Sequence, residues 1–411
     1  MAAELLIRPS FNDHKVVADL VAPTALSSGR PISRLVLAAQ DVARRKELAD
    51  VAAKSGTPLL IDPMTILFQG ILAADDPWAT HVAFGRSAGY ASEELENPFV
   101  LDSIVAGSLQ FQVEHGASAI IAPYFYADRP DSPAFAASLA AISRTAKRMR
   151  ADGIALPLVA VLCAQLRGFA HRAGWQGALD RFASAAIDVG PQALGFYLSP
   201  VGRGDDSYAK VLELMLAGRH LATFGVPVLA WRQGVYGPAL VAAGLSGYEC
   251  GMGIGEHANA RGYINQHKPR DAGGTAFAAQ GIYLPALGRS VIPKVARTLL
   301  SDRVLRGRLV CDSPRCCPRG AESMLSSRGR EHAVRARARE LDDIVSIPDA
   351  GWRLHQVAKK AASAHVLATK ANEALRAANV NATIHTEGYA ALEQAAEFLC
   401  TQRPAGARDL A

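Results

Sequence analysis

Short apolar runs rich in valine, isoleucine and leucine recur along the chain. Seven of them are candidate strands: RLVLAAQ (34–40), PLLID (58–62), SAIIAPYF (118–125), LPLVAVLCA (156–164), ALGFYLSP (193–200), VPVLAWRQG (226–234) and SGYECG (246–251). Alanine-rich segments with helical spacing of apolar residues lie between them, for example 132–153 and 208–225. Continuously apolar strands that alternate with amphipathic helices are typical of a parallel sheet covered by helices. Seven strands in roughly 220 residues favour a (β/α)8 TIM barrel over an open doubly wound sheet.

The pattern changes after about residue 255. A polar, glycine-rich segment at 257–281 predicts a long loop at the barrel mouth, and an arginine-rich stretch with three cysteines follows it. Helical spacing resumes near residue 331, at 351–379 and at 388–402, before a tail at 403–411. We therefore expect a barrel core at 1–300, a zinc-binding subdomain at 301–345, and C-terminal helices at 346–411 that complete or pack on the barrel.

Composition narrows the class of protein. The chain has 411 residues, 50% hydrophobic and 20% charged, which is ordinary for a globular enzyme. The N-terminal segment lacks the basic-then-apolar pattern of a secretory signal, and no apolar run is long enough to span a membrane. The six cysteines are unevenly spaced, unlike a disulfide scaffold, so we expect a reduced, cytoplasmic protein.

Polar residues follow several of the predicted strands. The carboxyl ends of barrel strands face the active site, so polar groups at these positions are candidates for chemistry. The candidates are Asp62, Gln165, Ser199, Arg232, Gln233 and Glu249. Two carboxylates, Asp62 and Glu249, would then face one mouth, where one could attack a substrate while the other moves a proton. Each residue alone could equally be a loop cap.

The segment CDSPRCCPRG predicts a metal site. Cys311, Cys316, Cys317 and His332 make three thiols and one imidazole, a ligand set typical of structural Zn²⁺. Adjacent cysteines rarely bind one metal together, so one of Cys316 and Cys317 could simply be buried. His355 is an alternative fourth ligand.

Basic residues concentrate around these cysteines. Residues 289–339 include thirteen Lys or Arg and only four Asp or Glu, in a chain of net charge +6. Such clustering is typical of a protein that binds a polyanion, although an arginine-rich solvated face is the plain alternative.

The order of these features resembles the tRNA-guanine transglycosylases and their DNA-modifying relatives, over roughly residues 55–380. The resemblance rests on Asp62 followed by Phe68-Gln69, on VPVLAWRQGVYGPALVAAGLSGYECGMG, and on the basic and cysteine clusters after them. It implies a zinc-bearing barrel that exchanges a guanine in tRNA or DNA for a 7-deazaguanine base, commonly as a homodimer.

The resemblance also implies roles for individual residues. Glu249, in Tyr-Glu-Cys where the family has Phe-Asp-Cys, would be the nucleophile at the sugar C1′, and Asp62 would transfer the proton. The implied substrate-binding residues are Phe68, Gln69, Tyr124, Gln165, Ser199, Gly202, Arg232 and Gln233. Phosphate contacts would come from Arg303, Arg306, Arg308, Arg315 and Arg319. The family's guanine-reading aspartate is missing near Pro123 and Tyr124, where aromatic residues could stack on a flipped base or simply pack in the barrel.

Two alternatives stay open at this point. The chain could be a catalytically silent relative that only binds nucleic acid. It could also be an unrelated TIM-barrel lyase or oxidoreductase that acts on a small phosphorylated substrate, with GMGIGEHANARG (251–262) as its phosphate loop.

Overall fold

The computed structural model describes residues 3–10, 13–22, 31–170, 175–253, 256–269 and 281–402. Eight strands lie in one sheet, and seven of them occupy the positions that the apolar pattern predicted. They are β1 Glu4–Arg8, β2 Arg34–Ala38, β3 Leu59–Asp62, β4 Ile120–Ile121, β5 Leu158–Gln165, β6 Ala193–Ser199, β7 Val228–Ala230 and β8 Gly247–Gly251. The predicted tail at 403–411 lies outside the described residues.

All ladder pairs in this sheet are parallel, in the order β3-β2-β1-β8-β7-β6-β5-β4. A parallel bridge between Leu60 and Ala119 joins the two edge strands, and the Ser118 amide donates to the Leu59 carbonyl at 2.7 Å. The sheet is therefore a nearly closed barrel, and the prediction of a (β/α)8 TIM barrel is confirmed.

The strand that the apolar pattern did not reveal is β1. Its sequence, ELLIR, has only three apolar residues before Arg8 and then Pro9, so it gives a weak periodic signal. In the fold it is central, because it pairs with both β2 and β8, and Leu6 and Ile7 are fully buried. Its last residue places the Arg8 side chain at the carboxyl ends of the strands.

Helices surround the barrel. Those that follow the first seven strands are α1 His14–Val21, α2 Ala39–Arg44, α3 Glu47–Ser55, α4 Pro77–His81, α5 Pro98–Glu114, α6 Pro133–Ala151, α7 Leu166–Ala170, α8 Trp175–Ile187, α9 Tyr208–Ala222 and α10 Gly237–Ala242. Local sequence fixes several of their starts. In α6, for example, the Ser132 side chain caps the helix and Pro133 occupies the first turn, where its missing N–H costs nothing.

The chain after β8 continues through α11 Ala260–Gln266, the hairpin β9 Ile282–Leu284 and β10 Arg289–Val291, and further helices. These are α12 Pro293–Ser301, α13 Arg303–Leu309, α14 Ala321–Leu325, α15 Gly329–Val345, α16 Ala350–Ala377 and α17 Glu387–Thr401. The segment predicted as one long loop thus contains α11, and its residues 270–280 lie outside the described part of the chain.

The eighth helix of the barrel is α15. It packs against α1, α10 and β1, and Val334, Leu341 and Ile344 are buried with the barrel core. These residues recur at helical spacing on one face, as expected for a helix that covers a sheet. The barrel is therefore completed by a helix that follows the cysteine cluster in sequence.

A second hydrophobic core lies beside the barrel core. It combines the hairpin, α12, α13, the cysteine cluster and the C-terminal half of α16, with Leu284, Leu299, Leu309 and Leu375 almost fully buried. This core draws residues from both sides of positions 300 and 345, and the predicted domain boundaries there stay a prediction. Within the described residues no helix is long and apolar enough to cross a membrane.

Arg337 connects the two parts of the chain. Its side chain is fully buried, lies 2.7 Å from a carboxylate oxygen of Glu256, and donates to the Gly234 carbonyl at 2.7 Å. Its guanidinium also lies 4.2 Å from the centre of the Tyr283 ring. Glu256 in turn accepts from the Ser290 amide and hydroxyl, so one buried charge pair ties α15 to the loops after β7 and β8 and to the hairpin.

We predict that Arg337→Ala lowers the free energy of unfolding by about 3–5 kcal/mol, because it leaves the Glu256 carboxylate buried without its partner. Urea unfolding of the two proteins measures the difference. Arg335→Ala on the same helix is the matched control, since its pair with Glu331 is partly exposed and contributes less than about 1 kcal/mol. Equal losses in the two variants would contradict the prediction.

Candidate functional site at the barrel mouth

Arg8 holds two carboxylates together inside the barrel. Its Nε donates to Glu249 Oε1 at 2.5 Å, and one terminal nitrogen donates to Asp62 Oδ2 at 2.7 Å and to Glu249 Oε2 at 3.2 Å. The Asp62 and Glu249 side chains are at most 1% exposed. Side chains of alternate strand residues point inward, so β1, β3 and β8 bring these three groups to one place. The predicted convergence of Asp62 and Glu249 is thus present, but Arg8 bridges them.

Asp62 is fully supplied with hydrogen-bond donors. Besides Arg8 it accepts from the Met64 amide at 2.9 Å, from the Tyr124 hydroxyl at 2.8 and 3.0 Å, and from the Trp231 indole at 3.4 Å. Burial would raise the pKa of Asp62, but the positive charge of Arg8 and these donors hold it below its ordinary value. Asp62 is therefore an ionised carboxylate at neutral pH.

Tyr124 and Arg8 keep their protons in this cluster. Burial and the neighbouring Asp62 carboxylate raise the pKa of Tyr124 well above its ordinary value. Burial alone would lower the pKa of Arg8, but Glu249 and Asp62 raise it well above its ordinary range. Tyr124 thus acts as a hydrogen-bond donor to Asp62, with its ring packed in the core.

Arg232 lies next to this cluster and differs from Arg8. No carboxylate of the described residues lies within ion-pair distance of its guanidinium, and its buried Nε has no hydrogen-bond partner among them. The guanidinium lies 4.5 Å from the centre of the Tyr263 ring and 3.4 Å from the Met64 sulfur, which Arg8 also approaches at 3.9 Å. The backbone of Arg232 has a φ of 55°, an uncommon conformation for a side chain of this size. Such strain is often found at binding sites.

Two further ionisable residues, Asp41 and His267, lie near Arg232 and Tyr263. Asp41, in the first turn of α2, is close enough to Arg8 and Arg232 for their charges to lower its pKa, yet burial raises that pKa overall. His267 pairs with Asp76 at 2.7 Å and lies beside the Tyr263 ring, 4.7 Å between ring centres.

Sequence reasoning missed Arg8, Asp41 and His267. Asp41 directly follows the predicted strand at 34–40, so its position offered a signal. Arg8 and His267 gave none, because their strand and helix were not predicted.

Two of the predicted substrate-binding residues have structural partners. Phe68 is buried and packs edge-on against Trp78, 4.9 Å between ring centres. The Gln69 side chain donates to the Tyr126 carbonyl at 2.9 Å and accepts from the Tyr126 amide at 2.6 Å. The bonds of Gln69 connect the segment after β3 with the segment after β4.

The remaining predicted residues lie around the same mouth. Gln165 and Ser199 end β5 and β6, and the Ser199 hydroxyl accepts from the Ala260 amide at 3.2 Å. Gly202 has a φ of 92°, which favours glycine, and its amide donates to Asp206 at 2.6 Å. Gln233 is buried and donates to the Leu198 carbonyl at 2.8 Å. Most of these side chains therefore hold loops, and their role toward a substrate stays a prediction.

The cysteine cluster forms a candidate metal centre. Cys311, Cys316, Cys317 and His332 are buried, and their ligand atoms all lie within 4.8 Å of one another. The His332 Nδ1 atom is 3.4 Å from Cys316 Sγ and 3.3 Å from Cys317 Sγ, and the two sulfurs are 3.8 Å apart. Tetrahedral zinc with ordinary bond lengths places its ligand atoms ~3.5–3.8 Å apart. These side chains could therefore hold one metal ion.

Surrounding contacts orient the imidazole for such a role. His332 Nε2 lies 2.9 Å from the Tyr283 carbonyl, so it carries the proton and leaves Nδ1 free toward the cysteines. Both adjacent cysteines reach the cluster, because the chain turns sharply at Ser313–Cys317. The alternative ligand His355 does not belong to it and packs against Trp352.

The five arginines predicted to bind phosphates are all exposed. Arg303, Arg306 and Arg308 are on α13, and Arg315 and Arg319 flank the cysteines. Arg319 forms an exposed pair with Glu322 at 3.0 Å. This distribution is that of a solvated face of the second core.

No family model matches the chain, and no curated protein matches it. Solved structures with a similar chain trace include a protein from Coccidioides immitis described as a fructose-1,6-biphosphate aldolase, at 9% identity and a TM-score of 0.34, over 84% of this chain and 89% of that chain. A 2,3-dimethylmalate lyase of the PEP mutase/isocitrate lyase superfamily is 11% identical, with a TM-score of 0.35, over 64% of this chain and 79% of that chain. The carboxyl transferase domain of Rhizobium etli pyruvate carboxylase, with 3-hydroxypyruvate, is 12% identical, with a TM-score of 0.37, over 94% of this chain and 56% of that chain.

The predicted membership in the tRNA-guanine transglycosylase family is wrong. The similar structures are an aldolase, a lyase and a carboxyl transferase domain, and no family model supports the resemblance. The predicted glycosyltransferase activity, with its tRNA or DNA partner and 7-deazaguanine base, is wrong with it. The error came from short fragments in a similar order, since alanine-rich barrels repeat strand-end glycines, acids and glutamines.

We predict that Asp62→Asn lowers the free energy of unfolding at pH 7 by about 3 kcal/mol, because Arg8 loses one of its buried partners. The pKa of Asp62 is lowered in the folded state, so its stabilising effect is present above the unfolded pKa of about 3.9 and is lost as pH falls through the folded value. The gap between wild type and variant should therefore shrink below about pH 4 in urea unfolding.

Asp19→Asn serves as the control, since Asp19 is an exposed carboxylate on α1. It should leave stability nearly unchanged from pH 3 to pH 7. A gap for Asp62→Asn that stays constant across this range would show that the carboxylate charge contributes nothing.

Proposed function

We propose that this chain is a TIM-barrel enzyme of the lyase type that acts on a small anionic substrate, a carboxylate or phosphate ester, at the barrel mouth. The observation that carries the proposal is the partly buried Arg232 guanidinium beside the Arg8–Asp62–Glu249 cluster, whose buried Nε has no hydrogen-bond partner and which has no carboxylate within ion-pair distance in the described residues. A cation partly removed from water is stabilised by a neighbouring anion that also bonds its unsatisfied N–H group. The carboxyl ends of the strands are also where TIM-barrel enzymes bind substrates.

Arg232 would anchor the anion. A guanidinium presents a planar set of donors that matches carboxylate and phosphate oxygens, and its unsatisfied Nε supplies one of them. Arg8 is fixed by its two carboxylates and would contribute positive potential near the same place. The Tyr263 ring beneath Arg232 keeps the guanidinium in position.

Proton transfer would be divided between two carboxylates. Asp62 has a lowered pKa and would remain ionised, orienting Arg8 and Tyr124, whereas burial gives Asp41 a raised pKa that is better suited to exchanging a proton. Glu249 stays a candidate for the same work, on the condition that substrate loosens its bonds to Arg8. None of the eight barrel strands carries a lysine, so no strand residue could form a Schiff base.

The first test is anion binding and carbon-acid exchange. We expect inorganic phosphate or oxalate to raise the melting temperature of wild type, and the enzyme to speed deuterium incorporation next to the carbonyl of small oxo acids or phosphorylated ketones, followed by NMR. Arg232→Met should lose the anion effect, and Asp41→Asn should slow the exchange at least tenfold while still binding the anion.

Arg150→Met is the matched control, because Arg150 is an exposed arginine at the end of α6. It should behave as wild type. An anion effect that survives in Arg232→Met, or a wild type that exchanges no substrate of the panel, would overturn the proposal.

We propose further that the cluster of Cys311, Cys316, Cys317 and His332 binds structural Zn²⁺. The support is the set of three thiols and one imidazole at tetrahedral spacing, with all four ligands from protein and no open position required. The ion would fix α15 to the loop at 311–317 between α13 and α14, and so stabilise both cores. A reducing compartment such as the cytoplasm would keep these thiols free for the metal.

We predict one zinc per chain in protein purified without added metal, measured by elemental analysis. Cys317→Ser should lose the ion and unfold at a lower temperature, because the second core loses its central crosslink. Cys400→Ser is the control, since Cys400 is exposed on α17 and far from the cluster in the fold. Zinc retained in full by Cys317→Ser would remove this residue from the ligand set.

A further inference from the structure

A cavity of about 440 Å³ lies outside the barrel, between its wall and the second core. It is bounded by the start of α10, by the turn at Pro285–Leu287, and by α16 and α17. The barrel-mouth cluster of Arg8, Asp62 and Glu249 contributes nothing to its walls. Ligand pockets commonly occupy such junctions between two packed units and have volumes of about 300–1,000 Å³.

The wall of the cavity is mainly apolar. Ala239, Leu287, Val357, Leu367 and Leu392 contribute side chains from four different segments of the chain. The Tyr389 hydroxyl is already used, because it donates to the Leu287 carbonyl at 2.7 Å. This interior therefore suits a hydrocarbon or aromatic group and offers few polar atoms to bond it.

The charged residues around the cavity are predominantly basic. Arg289, Arg308, Lys359 and Lys360 face a single acid, Glu340. Glu340 already accepts from the Tyr283 hydroxyl at 2.8 Å and lies 4.0 Å from Lys360.

The other three cations have no such partner. Within the described part of the chain, no carboxylate lies within ion-pair distance of Arg289, Arg308 or Lys359. Lys359 and Arg308 are exposed, so they would meet an anion at the entrance while its apolar part is buried. The cavity thus offers positive charge at its entrance and an apolar wall inside, which together suit a ligand with an anionic end and an apolar body.

We propose that this cavity is a binding site for an amphipathic small molecule, with one carboxylate or phosphate head group on a hydrocarbon or aromatic body. The head group contacts Lys359 and Arg308, and the body lies against Val357, Leu367 and Leu392. Because no residue of the barrel-mouth site takes part, this site is independent of the reaction proposed above.

Titration of the full-length protein with decanoate, below its micellar range, tests the proposal by calorimetry. We expect saturable binding of one molecule per chain, and binding at least tenfold weaker for decanol, which has the same body without the charge. The double variant Lys359→Glu/Lys360→Glu should weaken decanoate binding at least tenfold, equivalent to about 1.4 kcal/mol, with little effect on decanol.

Lys294→Glu/Lys370→Glu is the matched control, because both lysines are exposed and neither lines the cavity. It carries the same change in net charge and should bind decanoate as wild type does. Leu392→Trp fills the cavity and should abolish binding of both ligands, with circular dichroism and zinc content confirming the fold. Absence of saturable decanoate binding, equal binding of decanol, or equal losses in the two double variants would overturn the proposal.

Discussion

The fold is organised around one buried guanidinium, that of Arg8, which bonds both Asp62 and Glu249. The three residues come from the first, third and eighth strands, which lie among four neighbouring strands of the sheet, so the cluster forms only when β8 pairs with β1 and β2 lies between β1 and β3. Removing any member leaves a charge in a place with almost no solvent, at a cost of several kcal/mol. The same cluster also shapes the mouth. Because Arg8 bonds both carboxylates, the neighbouring Arg232 guanidinium contacts the Tyr263 ring and the Met64 sulfur instead.

A second buried charge pair, Arg337 and Glu256, connects elements outside the barrel strands. Arg337 and Glu256 join α15 to the loops after the seventh and eighth strands, and α15 also carries His332 of the cysteine cluster. The helix that closes the barrel is thus also the helix that would hold the metal. A change at the cluster is therefore expected to reach the barrel wall through α15, and the apolar cavity with its basic entrance lies along this same junction between the two cores.

Local sequence predicted much of the architecture, because strands buried on both faces must be apolar throughout. Seven of the eight strands and the long helices α6, α9, α16 and α17 follow from that pattern. The strand ELLIR was missed because three apolar residues carry too little periodic signal. Arg8 was therefore not selected as a strand-end candidate. Asp62, Glu249 and the four metal-ligand candidates could be selected because strand ends and clustered thiols have chemical meaning on their own. The resemblance to transglycosylases failed for a related reason. TIM barrels of many different functions carry polar residues at their strand ends, so the order of such residues alone does not identify a family.

The sequence by itself determined the fold class and the types of side chain available at the mouth and in the cysteine cluster. Only the tertiary structure decided which of these groups meet. Asp62 reads from the sequence as a free acid–base candidate, but the fold surrounds it with Arg8, Tyr124 and the Met64 amide, and these lower its pKa. Asp41 was not selected from the sequence although it follows a predicted strand, but burial raises its pKa beside two arginines. The physical reason is that burial and the distance to other charges set the behaviour of an ionisable group. Both quantities depend on residues far away in the chain.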